Sequence, residues 1–416
     1  MTSRRVTTSF DNAAQVLTPP EPDLPYLRSN RAGEMALEPG GITIEHGRIA
    51  ALQPSADANI HVDATGCALL PGLVDCHTHL PFAGWRAGEY EQKVTGVPYE
   101  EIARAGGGIR SSARALRETP DETVLAQAQE LAGEMLRSGT TTFECKSGYG
   151  LSTAGELRAL QLATELSQIV SQNTTRTGLL AHAVPDGYTT TTWMDEVEQM
   201  LPEALEHVSA LDIFVESIAF GLDDLDRMGR FATQNGVRLR AHVEQFTTMR
   251  SVPVALKHNA RSLDHLSTIH PDDIQPLANS DTAAVLLPGA EFMGAEHTAP
   301  ARDLIDAGAV MVLATDANPG TSPIFSLPLI IGLGVRRYGL STREALLATT
   351  LNAAYVLDLQ QEIGSIELDK RADLVLLDSP AEHVAYRLGR NPVAATFVGG
   401  DPAYVRPDAA WRIMER

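Results

Sequence analysis

The stretch Pro71-Gly72-Leu73-Val74-Asp75-Cys76-His77-Thr78-His79 ends an apolar run that begins at Ala68. The run is short and Pro81 follows it, so we expect a buried strand over residues 68–74. Successive side chains of a strand point to opposite faces, so His77 and His79 would share one face. On a helix the two rings would lie about 200° apart. Paired imidazoles at a strand end predict half of a metal site, although the motif alone also occurs by chance.

The composition is that of an ordinary globular protein. The chain has 416 residues, of which 44% are hydrophobic and 21% are charged. This length allows two or three average domains, or one large α/β barrel with an appendage. We find no apolar run long enough to cross a membrane and no apolar core of a secretory signal. Three cysteines do not make a disulfide framework, so we expect a cytoplasmic protein.

The charge balance is unusually acidic. The formal net charge is −20, and only four of the 33 basic residues are lysines. Such a surface repels nucleic acid and anionic membranes, so we expect neither as a partner and favour a small-molecule substrate. Solubility is one explanation of the charge, and adaptation to high intracellular salt is a sharper hypothesis. A melting temperature that does not rise with KCl would contradict the latter.

Both ends of the chain show the alternating pattern of β-strands. Strands are predicted at 41–50, with a turn at His46-Gly47, and at 59–64, 364–367, 372–378 and 393–398. We expect the two ends to form one small β-sandwich. The predicted divisions are 1–67 for its N-terminal part, 68–361 for a central domain and 362–416 for its C-terminal part.

Strands and helices alternate through the central domain. Capping boxes at Thr119-Pro120-Asp121-Glu122 and Ser341-Thr342-Arg343-Glu344 mark two helix starts. Eight strands alternating with helices predict a TIM-type (β/α)8 barrel, with a doubly wound sheet as the main alternative. The eight strands are predicted at 68–74, 140–145, 175–181, 211–216, 237–244, 262–266, 283–287 and 310–315.

Polar residues that can bind metal or move protons stand at the ends of several predicted strands. In a barrel these ends meet at one rim, which is where active sites form. Burying an isolated charged side chain costs free energy, so several such residues at strand ends favour a functional site over a chance arrangement of core residues. The residues are His77, His79, Glu144, His182, His242, Asp264, His265 and Asp316.

This arrangement resembles the amidohydrolase superfamily, with His-x-His on strand one, His on strands five and six, and Asp on strand eight. More narrowly, the chain resembles the imidazolonepropionase family. The motifs that carry this resemblance are His77-Thr78-His79-Leu80, Ala105-Gly106-Gly107-Gly108-Ile109, Lys146-Ser147-Gly148-Tyr149-Gly150-Leu151 and Asp316-Ala317-Asn318-Pro319-Gly320-Thr321. The resemblance implies hydrolysis of the ring amide of 4-imidazolone-5-propanoate to N-formimidoyl-L-glutamate, a step of histidine degradation.

The resemblance also implies one Zn or Fe ion per subunit. The implied ligands are His77, His79, His242 and Asp316, which suit either metal. His265 is expected to hydrogen-bond or transfer a proton at the substrate carbonyl. Some relatives have Glu at position 245, but Gln245 cannot usefully accept a proton. The general base therefore stays open between Asp316 and His265.

The implied substrate carries a propionate, and Arg86 is the expected partner because a guanidinium grips a carboxylate with two bonds. Lys146 is expected to have a structural role, and Tyr99 is a weaker candidate. The resemblance further implies a homodimer. The other residues matched to substrate or product contacts are Tyr149, His182, Gln245, Asn318, Gly320 and Thr321.

Four alternatives are weighed at this stage. A nucleobase deaminase of the superfamily would use Glu where this chain has Gln245. A binuclear hydrolase would carry a carboxylated lysine at the end of strand four, where this chain has Glu216-Ser217. Another mononuclear cyclic amidase is the enzyme alternative that these residues leave open. A non-catalytic ligand-binding barrel is the alternative from another class.

Overall fold

The computed structural model describes residues 6–97, 101–102 and 106–415. The predicted candidate Tyr99 lies outside the described residues. Within this part of the chain, the strands form one nine-stranded and one eight-stranded sheet. None of the described helices is long and apolar enough to span a bilayer.

The eight-stranded sheet is a barrel whose parallel strands follow one another in chain order. The segments that follow its first and last strands meet through a parallel bridge between Thr78 and Ala317, which nearly closes the cylinder. This confirms the predicted barrel and excludes a doubly wound sheet, because strand order never reverses. The strands are β6 Leu73–Asp75, β7 Thr140–Lys146, β8 Asn173–Ala181, β9 Ala210–Val215, β10 Arg238–Val243, β11 Ser262–His265, β12 Ala283–Leu286 and β13 Val310–Leu313.

Helices connect most of the barrel strands and cover the outside of the cylinder. Their buried faces pack on the barrel, as where the indole of Trp193 donates a hydrogen bond to the carbonyl of Leu180. The helices with complete descriptions are Ala87–Val94, Ile109–Glu118, Asp121–Arg137, Thr153–Ile169, Thr190–Ala204, Leu222–Asn235, Val252–Lys257, Pro271–Ala278, Pro288–Phe292, Ala301–Asp306, Leu327–Tyr338, Thr342–Ala348, Leu351–Val356 and His383–Tyr386.

The nine-stranded sheet is built from both ends of the chain, as predicted. Its strand order is β16-β15-β14-β5-β1-β2-β3, and β4 pairs with both β1 and β17. The aromatic rings of Phe10 and Phe397 meet in its core with centroids 4.9 Å apart. The strands are β1 Thr7–Thr18, β2 Ala36–Glu45, β3 Arg48–Ala51, β4 Ile60–Asp63, β5 Ala68–Pro71, β14 Leu374–Leu377, β15 Val393–Val398, β16 Asp401–Val405 and β17 Ile413–Glu415.

The apolar run 68–74 is two strands rather than the single strand that the sequence predicts. β5 pairs with β14 in the nine-stranded sheet, whereas β6 pairs with β7 in the barrel. The chain changes sheets at Gly72, whose N–H donates to the carbonyl of Asp373. A Cβ at Gly72 would overlap the side chain of Thr141, so the crossing is tightly packed. His77 and His79 therefore follow a three-residue strand.

Two local predictions are wrong. Residues 364–367 are not a strand, and Glu367 instead forms an ion pair of 2.8 Å with Lys370. Thr119 does not cap a helix, because its hydroxyl donates to the carbonyl of Ala115 and so closes the preceding helix. The capping box at Ser341 is confirmed, since Ser341 and Glu344 exchange side-chain and backbone hydrogen bonds.

Candidate metal centre and substrate pocket

Five predicted residues come together at the carboxyl end of the barrel. His77 and His79 follow β6, His242 lies in β10, His265 ends β11 and Asp316 follows β13. Each side chain is buried, with at most 5% of the residue exposed. The barrel topology produces this meeting, because parallel strands deliver their carboxyl ends to the same rim.

Three imidazoles form the centre of this cluster. His77, His79 and His242 each place a ring nitrogen within 4.8 Å of the others. The Nε2 atoms of His77 and His242 have no hydrogen-bond partner among the described residues. Buried polar atoms normally have partners, so converging orphan nitrogens indicate a cation site. Nitrogen ligands of this kind fit Zn or Fe.

Asp316 lies against the imidazoles. Its Oδ1 atom is 3.2 Å from Nε2 of His79 and 3.5 Å from Nε2 of His77. Burial alone would raise the pKa of Asp316, but the neighbouring histidines hold that pKa well below its usual range. Asp316 has a φ of 54°, in the left-handed region that costs a non-glycine residue about 1–3 kcal/mol. The fold thus holds an ionised carboxylate beside the Nε2 atoms of His77 and His79.

His265 lies beside His242 and His77. The ring centroids of His265 and His242 are 5.4 Å apart, and those of His265 and His77 are 5.9 Å apart. His265 also has a positive φ, of 81°. Burial lowers the pKa of His265 to about 3, so this imidazole is neutral at neutral pH. A neutral ring can accept a proton or donate one hydrogen bond.

Four members of the cluster, His79, His242, His265 and Asp316, line a pocket with an empty volume of about 420 Å³. Arg86 lines the same pocket and is buried, with 7% of the residue exposed. Its backbone N–H donates to the carbonyl of Pro319 at 2.9 Å, which ties it to the loop after β13. The residues lining the pocket are His79, Arg86, Ile109, Tyr149, His182, Phe214, His242, Gln245, Phe246, His265, Asp316, Asn318 and Thr321.

Asn318 shapes the loop that follows Asp316. Its amide nitrogen donates to the carbonyl of Asp316 at 2.6 Å and to the hydroxyl of Thr321 at 2.9 Å. Its amide oxygen accepts the N–H groups of Gly320 and Thr321. Most of its hydrogen-bonding capacity is thus used within the loop. Asn318 fixes the position of Thr321, and Gly320 leaves space that Arg86 fills.

The glycine-rich loop 148–151 brings Tyr149 to the pocket. Gly148 has a φ of 114° and its carbonyl lies 3.0 Å from Nδ1 of His182. Glu156 accepts the backbone N–H groups of Gly148, Gly150 and Leu151 at 2.8–2.9 Å. The ring centroids of Tyr149 and His182 are 5.4 Å apart. Sequence reasoning missed Glu156, although a glutamate in the first turn after a glycine loop is a usable signal.

Gln245 enters the pocket on a loop that Glu216 holds. The Glu216 carboxylate accepts the backbone N–H groups of Phe246 and Thr247 and the hydroxyl of Thr247. Glu216 occupies the strand-four end at which a binuclear hydrolase would carry its lysine. Its oxygens are used by the backbone, and it is not part of the histidine cluster. This strand end therefore serves to hold the loop that carries Gln245.

The fold and this site define a metal-dependent hydrolase. The profile of the amidohydrolase family matches residues 68–403, which is most of the chain, and the protein belongs to that family. The barrel, the split β-sheet and the histidine cluster described above are consistent with this assignment.

The sequence relatives specify the family further. An imidazolonepropionase from Rubrobacter xylanophilus is 42% identical over 388 residues, covering 90% of this chain and 93% of the relative. An imidazolonepropionase from Herpetosiphon aurantiacus is 38% identical over 398 residues, covering 91% and 93%. Another from Agrobacterium fabrum is 40% identical over 382 residues, covering 88% and 90%. Within the amidohydrolases, the chain belongs to the imidazolonepropionase family.

Solved structures share the fold at low sequence identity. A triazine hydrolase variant superposes with a TM-score of 0.74 at 17% identity, covering 96% of both chains. A zinc-bound adenosine deaminase from Xanthomonas campestris superposes with a TM-score of 0.69 at 19% identity, covering 96% of this chain and 93% of the other. These likenesses concern the architecture alone.

Proposed function

We propose that the protein is an enzyme that hydrolyses the ring amide of 4-imidazolone-5-propanoate and yields N-formimidoyl-L-glutamate. The observation that carries this proposal is one pocket lined both by members of a buried histidine–aspartate cluster and by the buried Arg86. The cluster suits activation of water, and the guanidinium suits a carboxylate. The substrate presents an amide and a carboxylate within one small molecule.

The proposed ligands of the cation are His77, His79, His242 and Asp316. A bound Zn or Fe ion would supply Lewis acidity and lower the pKa of a water molecule toward about 7. Three nitrogens and a carboxylate suit both Zn and Fe.

Arg86 would bind the propionate and thereby set the orientation of the ring. A guanidinium holds a carboxylate through two parallel hydrogen bonds, which fixes direction as well as distance. Gln245 would orient the ring through its amide, because it can donate and accept hydrogen bonds but not protons. Tyr149, His182 and Thr321 would complete the walls around the ring.

Two residues would handle the protons. Asp316 is ionised and lies beside the Nε2 atoms of His77 and His79, so it would take a proton from the attacking water. His265 is neutral and lines the same pocket, so it is placed to hydrogen-bond the carbonyl oxygen. Water then adds to the carbonyl carbon, the bond from that carbon to the ring nitrogen breaks, and the nitrogen receives a proton.

The test is an assay of imidazolonepropanoate consumption by the metal-loaded wild type and by Arg86→Ala. We expect turnover by the wild type and, in the variant, a larger increase in KM than decrease in kcat. Equal rates in both proteins would contradict the role of Arg86. Absence of turnover by metal-loaded wild type would contradict the function and would favour a non-catalytic ligand-binding barrel.

We also propose a homodimer and a cytoplasmic location. The resemblance to the family supports the first, and three buried free cysteines support the second. Light scattering coupled to gel filtration measures the mass directly. A monomeric mass near 44.7 kDa would contradict the dimer.

A further inference from the structure

A cluster of five charged side chains lies beneath the metal centre, inside the barrel. Each of these residues is at most 1% exposed. Three are carboxylates and two are cations, so the cluster keeps a net negative charge. Burying charge is costly unless it is paired, and retention of so many charges calls for an explanation. The five residues are Glu144, Lys146, Asp212, Arg240 and Asp264.

Two chains of contacts run from this cluster to two of the proposed ligands. In the first, Nδ1 of His77 lies 2.6 Å from Asp264, which accepts from Arg240 at 2.7 Å. In the second, Nδ1 of His242 lies 3.1 Å from Asp212, which accepts from Lys146 at 2.6 Å.

Glu144 joins the two chains. Its Oε1 atom accepts from Arg240, and its Oε2 atom lies 3.0 Å from Nζ of Lys146. Each imidazole thus has Nδ1 held by a carboxylate, while its Nε2 atom has no hydrogen-bond partner among the described residues.

We propose that Lys146 and Arg240 are positioning residues, which act through Asp212 and Asp264 to hold His242 and His77 as metal ligands. This inference rests on the proposed metal centre. A carboxylate that accepts the Nδ1 proton fixes the tautomer and the ring orientation, and it leaves Nε2 with its lone pair toward the cation. The cations in turn fix the carboxylates.

The electrostatics agree with this arrangement. Burial alone would lower the pKa of Lys146, but the surrounding carboxylates Asp212, Glu144 and Asp264 outweigh burial and raise it. Lys146 is therefore an ammonium group, and the net negative charge of the cluster attracts a bound cation.

The test is Co²⁺ binding to the metal-free full chain, followed by the visible absorption of the bound ion. For Lys146→Met we expect the Kd for Co²⁺ to rise about 10–100-fold and the absorption bands to change. With saturating metal, kcat should fall while KM stays close to that of the wild type. The matched control is Lys370→Met, which removes another buried lysine paired with a carboxylate, far from the pocket. That control should leave the Kd and the spectrum unchanged.

A second variant separates positioning from folding. Lys146→Met leaves Asp212 without its cation, so it is expected to unfold more easily. The double variant Lys146→Met/Asp212→Asn removes both charges and should recover part of the stability, yet it should still bind Co²⁺ weakly. Wild-type affinity for Co²⁺ in either variant would contradict this inference but would leave the proposed metal centre intact. A wild type that binds no Co²⁺ would overturn the metal centre itself, and with it this inference.

Discussion

The guanidinium of Arg86 occupies the space in which a side chain at residue 320 would begin. A Cβ atom at Gly320 would overlap three atoms of that guanidinium. The two residues are 234 positions apart in sequence, and the hydrogen bond from Arg86 N–H to the carbonyl of Pro319 brings them together. The loop after the last barrel strand therefore decides where the proposed carboxylate-binding group lies.

Gly320→Ala should consequently weaken substrate binding while the protein stays folded. The clash is with the end of a flexible side chain, so Arg86 can move away at little cost to the fold. We expect KM to rise about 10-fold, with a smaller change in kcat, because a bidentate contact is displaced. Gly88→Ala is the matched control, since a Cβ there meets open space. Steady-state kinetics with unchanged KM for Gly320→Ala would contradict this prediction.

Glu156→Gln should loosen the loop that carries Tyr149. The carboxylate accepts three backbone N–H groups through two oxygens, whereas Gln must place its NH₂ group against one of those donors. We expect the free energy of unfolding to fall by about 1–3 kcal/mol and KM to rise. Denaturant unfolding and kinetics measure the two effects. Glu165→Gln, at an exposed position on the same helix, should change neither; equal behaviour of the two variants would count against the role of Glu156.

Gly72→Ala should destabilise the point at which the chain passes between the sheets. The added methyl would overlap the side chain of Thr141, and overpacking of this kind costs about 1–3 kcal/mol. Thr141→Gly removes the clashing atoms, so the double variant should lose at least about 1 kcal/mol less than the sum of the single variants. Urea unfolding of all four proteins measures this coupling. If the free-energy changes of the two single variants add up in the double variant, the clash between the new methyl group and Thr141 is relieved without removal of the Thr141 side chain.

Asp378→Asn should destabilise the protein in a pH-dependent way. Asp378 accepts hydrogen bonds from Arg390 and Arg406 at 2.5–2.8 Å. Burial raises the pKa of this carboxyl, but the two arginines outweigh burial and hold it below its usual value. A depressed folded-state pKa adds stability above the unfolded pKa of about 3.9, and that stability is lost as pH falls through the folded value.

We therefore expect Asp378→Asn to cost about 1–3 kcal/mol at pH 7 and progressively less below pH 4. Melting temperatures of the wild type and of Asp378→Asn, measured from pH 7 to below pH 4, test this expectation. Asp408 contacts the same Arg406 from an exposed position, so Asp408→Asn should melt as the wild type does. A pH-independent difference for Asp378→Asn would exclude an electrostatic origin.

The barrel could be predicted because its strands are short apolar runs bounded by helices and turns. The run predicted at 283–287 is β12 Ala283–Leu286, and the one predicted at 310–315 is β13 Val310–Leu313. β1 Thr7–Thr18 was not predicted, because Asn12 has a φ of 60° and two register shifts interrupt its alternation. Alternation of apolar and polar residues is the main sequence signal of a half-buried strand, so a strand with irregular pairing is not detected by this pattern.

The proposed metal ligands could be predicted from the sequence for a different reason. Histidine and aspartate at strand ends are easily recognised because the residues before them are apolar. Asp212 sits inside an apolar strand, and its partner Lys146 is 66 residues away, so only the folded barrel shows the pair. The wrong cap at Thr119 and the correct one at Ser341 have similar local sequences. They differ in the direction of the local hydrogen bond, because the Thr119 hydroxyl donates back to Ala115 in the preceding helix, whereas the Ser341 hydroxyl accepts from the N–H of Glu344 in the following helix.

The nine-stranded sheet has a consequence for synthesis on the ribosome. β5 lies beside β1 and needs β14 Leu374–Leu377 as its other neighbour, and β4 needs β17 near residue 413. β4 and β5 therefore keep unpaired edges after their synthesis, until roughly 300 further residues, which form the barrel, have been translated. Open strand edges invite pairing with other chains, so the nascent protein is most exposed to aggregation in that interval.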